Sequence, residues 1–149
     1  MLKYFLITFL FIFFTNAANA KQLKIISDEL EIIRTENISI FSGNVYAIED
    51  NLEIWSEKLI VTSSEDESEV KEINANGNVK IVREELSING DKARYDPIQN
   101  KLFVFGRVEV VQSQSIILSD KIIVDLENSS SIMSSDSNKR VEAIIINEK

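Results

Sequence analysis

The chain has 149 residues, with 16 basic against 24 acidic side chains and a formal net charge of −8. It holds no cysteine and no histidine, which leaves no thiol for a disulfide, a thiolate metal site or an acylated anchor, and removes the commonest general base and metal ligand. So acidic a chain is a poor partner for nucleic acid or an anionic membrane surface, and no metal or cofactor is expected.

Residues 1–20 are expected to be a secretory signal peptide. Lys3 gives a positive start, Tyr4 to Phe14 is apolar apart from Thr8, and Ala18-Asn19-Ala20 is an A-x-A cleavage signature. The apolar run has eleven residues, whereas a membrane helix needs about 20. Cleavage after Ala20 would leave Lys21–Lys149 as one domain, long enough to bury a core. An uncleaved anchor is the alternative.

From Lys21 onward the pattern is one of β-strands in repeats. Ser27-Asp28-Glu29-Leu30 forms a half-copy resembling Ser119-Asp120-Lys121-Ile122. Three full copies follow, opened by Gly43-Asn44-Val45, Gly77-Asn78-Val79 and Gly106-Arg107-Val108. Fifteen residues after each glycine stands a lysine: Lys58, Lys92, Lys121. An acid precedes each lysine (Glu57, Asp91, Asp120), and an isoleucine stands four residues before it (Ile54, Ile88, Ile117). A period of about 30 residues marks stacked copies of one supersecondary unit.

Inside a copy, apolar side chains alternate in twos. Val79 and Ile81 share a face, as do Leu86 with Ile88 and Val108 with Val110. The strands are expected to be short, about five residues. Asn76-Gly77 and Asn89-Gly90 are predicted to supply the positive φ of tight hairpins. Glu49-Asp50-Asn51, Arg83-Glu84-Glu85 and Gln112-Ser113-Gln114 are polar breaks at equivalent places, and Asp96-Pro97 is another turn. The acidic run Ser63 to Glu69 and the serine-rich run Asn128 to Asn138 read as solvated, mobile connectors. Val141 to Ile146 reads as the last strand. Nothing after Ala20 carries a helical stripe.

Chemistry has few candidates. The serines have no base to activate them. Asp91 and Asp120 hold equivalent positions, and a paired-carboxylate hydrolase would need two acids facing one cleft, about 5–9 Å apart. The same slot is filled by Glu57-Lys58, however, and a feature repeated in every copy serves the geometry of the copy. The acid-lysine pair is read as a turn and strand-entry device, and the protein as no enzyme. What remains is the apolar face. Two sheets packed tightly would make it a core, and two splayed sheets would make it a lipid-sized groove.

Gly-Asn-Val, then Ile-x-Gly-Asp-Lys-Ala-x-Tyr at Ile88 to Tyr95, resembles the OstA-like family of periplasmic lipopolysaccharide transport proteins, whose members include LptA. Phe41-Ser42-Gly43-Asn44-Val45, the Ser27-Asp28 start and Ser119-Asp120-Lys121-Ile122 fit the same pattern. The resemblance implies an all-β fold, a twisted open β-jellyroll of many short antiparallel strands. It implies a bridge across the periplasm of the Gram-negative envelope, built by head-to-tail pairing of terminal strands. That bridge joins an LptC-like inner-membrane subunit to an LptD-like outer-membrane translocon and serves outer-membrane biogenesis. Lipid A acyl chains of lipopolysaccharide would slide along its interior unaltered.

By alternation and resemblance the groove residues are Leu23, Ile25, Val45, Ile54, Val61, Val79, Ile81, Ile88, Tyr95, Val108, Val110, Ile117 and Val124. The joint between subunits falls to Leu23 and Ile25 at one end and to Val141, Ala143 and Ile145 at the other. Each buried CH₂ contributes about 0.8 kcal/mol, so a long uniform groove lets cargo move on where one deep pocket would hold it. Exposed terminal edges, otherwise a hazard, become docking strands. The rivals are an LptC-like anchored subunit of the same machine and a structural envelope module without cargo. A parallel β-helix enzyme would want a larger chain and a carboxylate cluster on one face.

Overall fold

Three glycines set the shape of this fold. Gly43, Gly77 and Gly106 have φ of 82, 83 and 79°, and the residues that follow, Asn44, Asn78 and Arg107, are left-handed too at 45, 44 and 45°. Each pair stands opposite a single residue of the next strand: Glu57, Asp91 and Asp120 in turn. These are β-bulges, which bend a strand and sharpen its twist.

The computed structural model describes residues 21–147, and the expected leader lies outside them. The strands are β1 (Leu23–Ile26), β2 (Glu29–Ile33), β3 (Ile38–Glu49), β4 (Leu52–Ser63), β5 (Val70–Arg83), β6 (Leu86–Asp96), β7 (Lys101–Gln112), β8 (Ser115–Asp125), β9 (Ser130–Ser134) and β10 (Glu142–Ile145). All described pairings are antiparallel, in the order β1-β3-β4-β5-β6-β7-β8-β10. β2 continues the line of β1 along β3, and β9 and β10 lie in line along β8. The two ends of the sheet are therefore broken strands, in keeping with a half-copy at the start.

The all-β jellyroll-like fold is as expected, but local readings are corrected. The serine-rich run Asn128 to Asn138, expected as a connector, holds strand β9. The body strands β3 to β8 run 11 to 14 residues, because each expected five-residue strand is half of one that passes through a bulge. Asn76-Gly77 and Asn89-Gly90 form no hairpins and lie inside β5 and β6. Gly77 has the predicted positive φ and uses it for a bulge. Gly90 has no positive φ; a Cβ there would run into Val104 Cγ1, so it is needed for space. The true hairpins fall at the polar breaks, where Asp50, Glu84 and Ser113 take φ of 53, 54 and 54°.

The bulges also govern which side chains point inward. In β5 the buried positions keep one parity through the bulge: Ile73, Ala75, Val79, Ile81. In the even strands the parity shifts by one. Ile54 is followed by Leu59, Ile88 by Ala93, and Ile117 by Ile122 on the inner face. The shift is placed at the acid-lysine pair. Each long strand thus contributes one half to each of two half-sheets, creased along the line of bulges.

Candidate functional site

The half-sheets face one another. The Tyr95 hydroxyl donates to Glu49 Oε1 at 3.2 Å, and Arg83 Nη1 donates to the Leu126 carbonyl at 3.1 Å. Glu49 and Arg83 end β3 and β5 at one side of the sheet, whereas Tyr95 near the end of β6 and Leu126 just past the end of β8 stand at the opposite side. Only a sheet folded back on itself brings such ends together. Burial, with the Glu49 carboxylate beside it, pushes the Tyr95 phenol well above its usual range, so it stays a donor.

All the candidate groove residues lie on this interior. Val45, Val79, Ile81, Ile88, Val108 and Val110 are buried to 2% exposure or less, with Ile54, Val61, Tyr95 and Val124 nearly so. Leu23, Ile25 and Ile117 are half-buried and pack against them. Along most of its length the interior is closed: beside Leu23, Ile54 and Tyr95 the residual gap is about 10 Å³. It opens at one end into a cavity of about 480 Å³, within the range of small-molecule sites. Val110 and Ile117 of one half-sheet line it, opposite Val124 of the other. Its lining also includes Leu86, Ile122, Leu126 and Met133, which the sequence reading did not single out. Ile122 and Leu126 stand two residues either side of Val124, so the same alternation carries them. Arg83, Glu84, Glu85 and Ser129–Ser131 form a polar rim.

The edges β1 and β10 each have one described partner, β3 and β8 respectively. Leu23 and Ile25 point inward, so a neighbour would meet backbone there, with Ile26 exposed beside it. At the other end Val141, Ala143 and Ile145 are all exposed. Val141 and Ile146 fall outside β10 itself.

The recurring acids have a structural task, in mid-strand and not at turns or strand entries. A Cβ on Gly43, Gly77 or Gly106 would strike the side chain of Asp28, Glu57 or Asp91. Each of these carboxylates covers a bulge glycine and accepts a hydrogen bond from the next residue: Asn44 at 2.9 Å, Asn78 at 2.7 Å, and Arg107 Nη2 at 2.7 Å. The Arg107 contact holds the Asp91 carboxyl below its usual range. Asp120 accepts the Asp136 amide at 2.9 Å and pairs with Lys139 at 3.5 Å, bracing the break between β9 and β10. The loop after β4 is tied by Asp66, whose carboxylate accepts from the Ser64 and Ser68 hydroxyls and is held at about 2. Among the described residues no group of three or more acids gathers to hold a metal ion.

Comparison with known proteins agrees with this geometry. The family described as LptA/(LptD N-terminal domain) LPS transport protein matches residues 24–130. A solved structure of LptH, the LptA-homologous periplasmic component of the lipopolysaccharide transport device of Pseudomonas aeruginosa, is similar with a TM-score of 0.77. The identity is 11%, over 85% of this chain and 96% of that one. No curated protein sequence matches.

Proposed function

Because this chain belongs to the LptA/(LptD N-terminal domain) family of lipopolysaccharide transport proteins, we propose that it carries lipopolysaccharide through the periplasm with acyl chains held between its half-sheets. The observation that supports this most is the pairing of an apolar interior with an open sheet. The interior runs from β1 to β10 and widens to about 480 Å³ near the β8–β9 edge. No barrel closure seals it, so an acyl chain can enter from the side at the open end. In the middle the interior is packed to a gap of about 10 Å³, so the half-sheets must part for cargo to travel the length of the fold.

Chains of such units would join head to tail, β10 of one lying against β1 of the next, with LptC-like and LptD-like domains at the two termini of the bridge. A contact of this kind does not close on itself. Asp91 and Asp120 are structural in this reading and no bond of the cargo is broken. An LptC-like subunit would differ in keeping residues 1–20 attached; mass measurement of the protein from cells separates the two.

The test is photo-crosslinking in living cells. A crosslinking side chain at Ile117 or Val110 should capture lipopolysaccharide, and one at Ile60 on the outer face should not. Equal capture at all three positions, or none at Ile117 and Val110 in a folded protein, would sink the reading.

A further inference from the structure

The sheet ends in four edge strands, two on each half-sheet. β1 and β10 edge one half, and β2 and β9 edge the other, each with one described partner, β3 or β8. The two ends match in length. β1 and β10 have four residues each, and β2 and β9 have five each. They match in direction as well. Strands β3 to β8 alternate in sense, so β1 runs against β10 and β2 against β9. A second copy shifted along the sheet, without being turned over, therefore brings β10 to β1 and β9 to β2 antiparallel. That is the sense of every described pairing inside the fold.

The side chains at β2 call for such a neighbour. One inward row runs from Leu30 through Phe41, Leu59, Val104 and Ile122 to Met133. Leu59, Val104 and Ile122 are fully buried, whereas Leu30 is 50% exposed and Ile32, two residues on, 59%. Both belong to the interior face, yet no described strand lies beyond β2 to cover them. A bare apolar edge of this kind invites another strand. In the shifted copy Met133, the far end of the same row, arrives opposite Leu30.

The repeat keeps its phase across this contact. Acid-bearing strands alternate with bulged ones, and the β9–β10 line, braced by Asp120, holds the place of a bulged strand. An acid-bearing strand comes next, and the β1–β2 line is one, with Asp28. Charge fits too. Glu29 and Glu31 are exposed on β2, Arg140 is exposed in the break between β9 and β10, and none of the three is in an ion pair among the described residues. Within one copy they sit at opposite ends of the sheet. In the shifted copy the break holding Arg140 comes beside the start of β2, where Glu29 stands.

We propose that a second copy of this chain docks through both half-sheets at once, β9 of one lying antiparallel on β2 of the next while β10 lies on β1, with Arg140 meeting Glu29. The proposal rests on the head-to-tail reading and adds to it a second strand pair, a direction and a charge contact. Both walls of the interior then pass from copy to copy, whereas a joint through β10 alone would leave the β2 side open to water.

The chain has no cysteine, so introduced thiols test this directly. Glu29→Cys with Ser134→Cys places thiols on the outer face at the β9–β2 contact, and Lys24→Cys with Ile144→Cys does so at the β10–β1 contact. Mild oxidation of either concentrated double variant should give covalent ladders longer than a dimer. Lys92→Cys in place of Glu29→Cys, in mid-sheet, should give none. Ladders from the Lys24 and Ile144 pair alone would overturn the proposal and leave the head-to-tail reading standing. No ladder from either pair would overturn both. Ser134→Cys alone linking as fully as the pair would mean that β9 meets β9 in a closed dimer, and would also overturn it. In sedimentation, Arg140→Glu should weaken self-association about tenfold, and adding Glu29→Arg should restore it. A loss that Glu29→Arg leaves unrepaired, or no loss at all, would overturn the proposed placement of Arg140 on Glu29.

Discussion

Gly106 shows how one residue carries two requirements at once. Its φ of 79° is open to glycine, and an added Cβ would stand 2.5 Å from Asp91 Oδ2. Gly106→Ala should therefore destabilise the fold by about 1–2 kcal/mol from backbone strain alone, and further through the collision. Pairing it with Asp91→Ala should recover the part of the collision that the carboxylate makes, whereas the Asp91 Cβ would still stand 2.9 Å away. Urea unfolding of the double variant against Asp91→Ala alone, which lacks the Arg107 contact too, reads that difference. Tyr95 makes a second test at this scale. Its folded-state pKa lies above the ordinary value of 10.0, so its contribution to stability is complete below that value. As pH rises past it the unfolded chain loses a proton that the folded chain keeps, and stability falls by up to about 1.4 kcal/mol per pH unit. Tyr95→Phe should flatten that decline in denaturation curves taken above the ordinary tyrosine pKa.

At the scale of elements, some features were legible and others were not, for definable reasons. Alternation placed Val79 with Ile81 and Val108 with Val110 because each pair lies on one side of its bulge, where the period of two is unbroken. The hairpins at Asp50, Glu84 and Ser113 were legible as polar breaks. Gly77 was misassigned because Asn-Gly offers the same positive φ to a turn and to a bulge, and only the partner strand decides between them. Strand length was hidden for the same reason. The open end of the interior was invisible, since it depends on how far Val110 and Ile117 stand from Val124 across the fold. At the sheet ends, β10 keeps four paired residues on β8, and its Ile145 is 67% exposed. A chain ended after Arg140 should stay folded by circular dichroism, lose head-to-tail oligomers in sedimentation, and still bind lipid. Undiminished assembly would place the joint elsewhere.

The whole molecule is one creased sheet, and its aperture depends on what ties the two halves. The crease is fixed by three braced bulges. At the open end the halves meet through Arg83 and the carbonyl of Leu126, at the rim of the large cavity. The second tie, Tyr95 to Glu49, lies where the interior is already filled. Removing the first should widen the mouth, whereas removing the second changes little there, because apolar packing around Leu52 and Ile73 holds that region closed. Arg83→Ala is therefore expected to speed the release of a fluorescent lipopolysaccharide analogue several-fold without loss of strand content. Tyr95→Phe should leave the release rate near that of the parent chain. Stopped-flow exchange against unlabelled lipid reads both. If the two variants release cargo at the same rate, lipid does not pass the Arg83 rim, and the mouth of the groove must be sought at the β1 end.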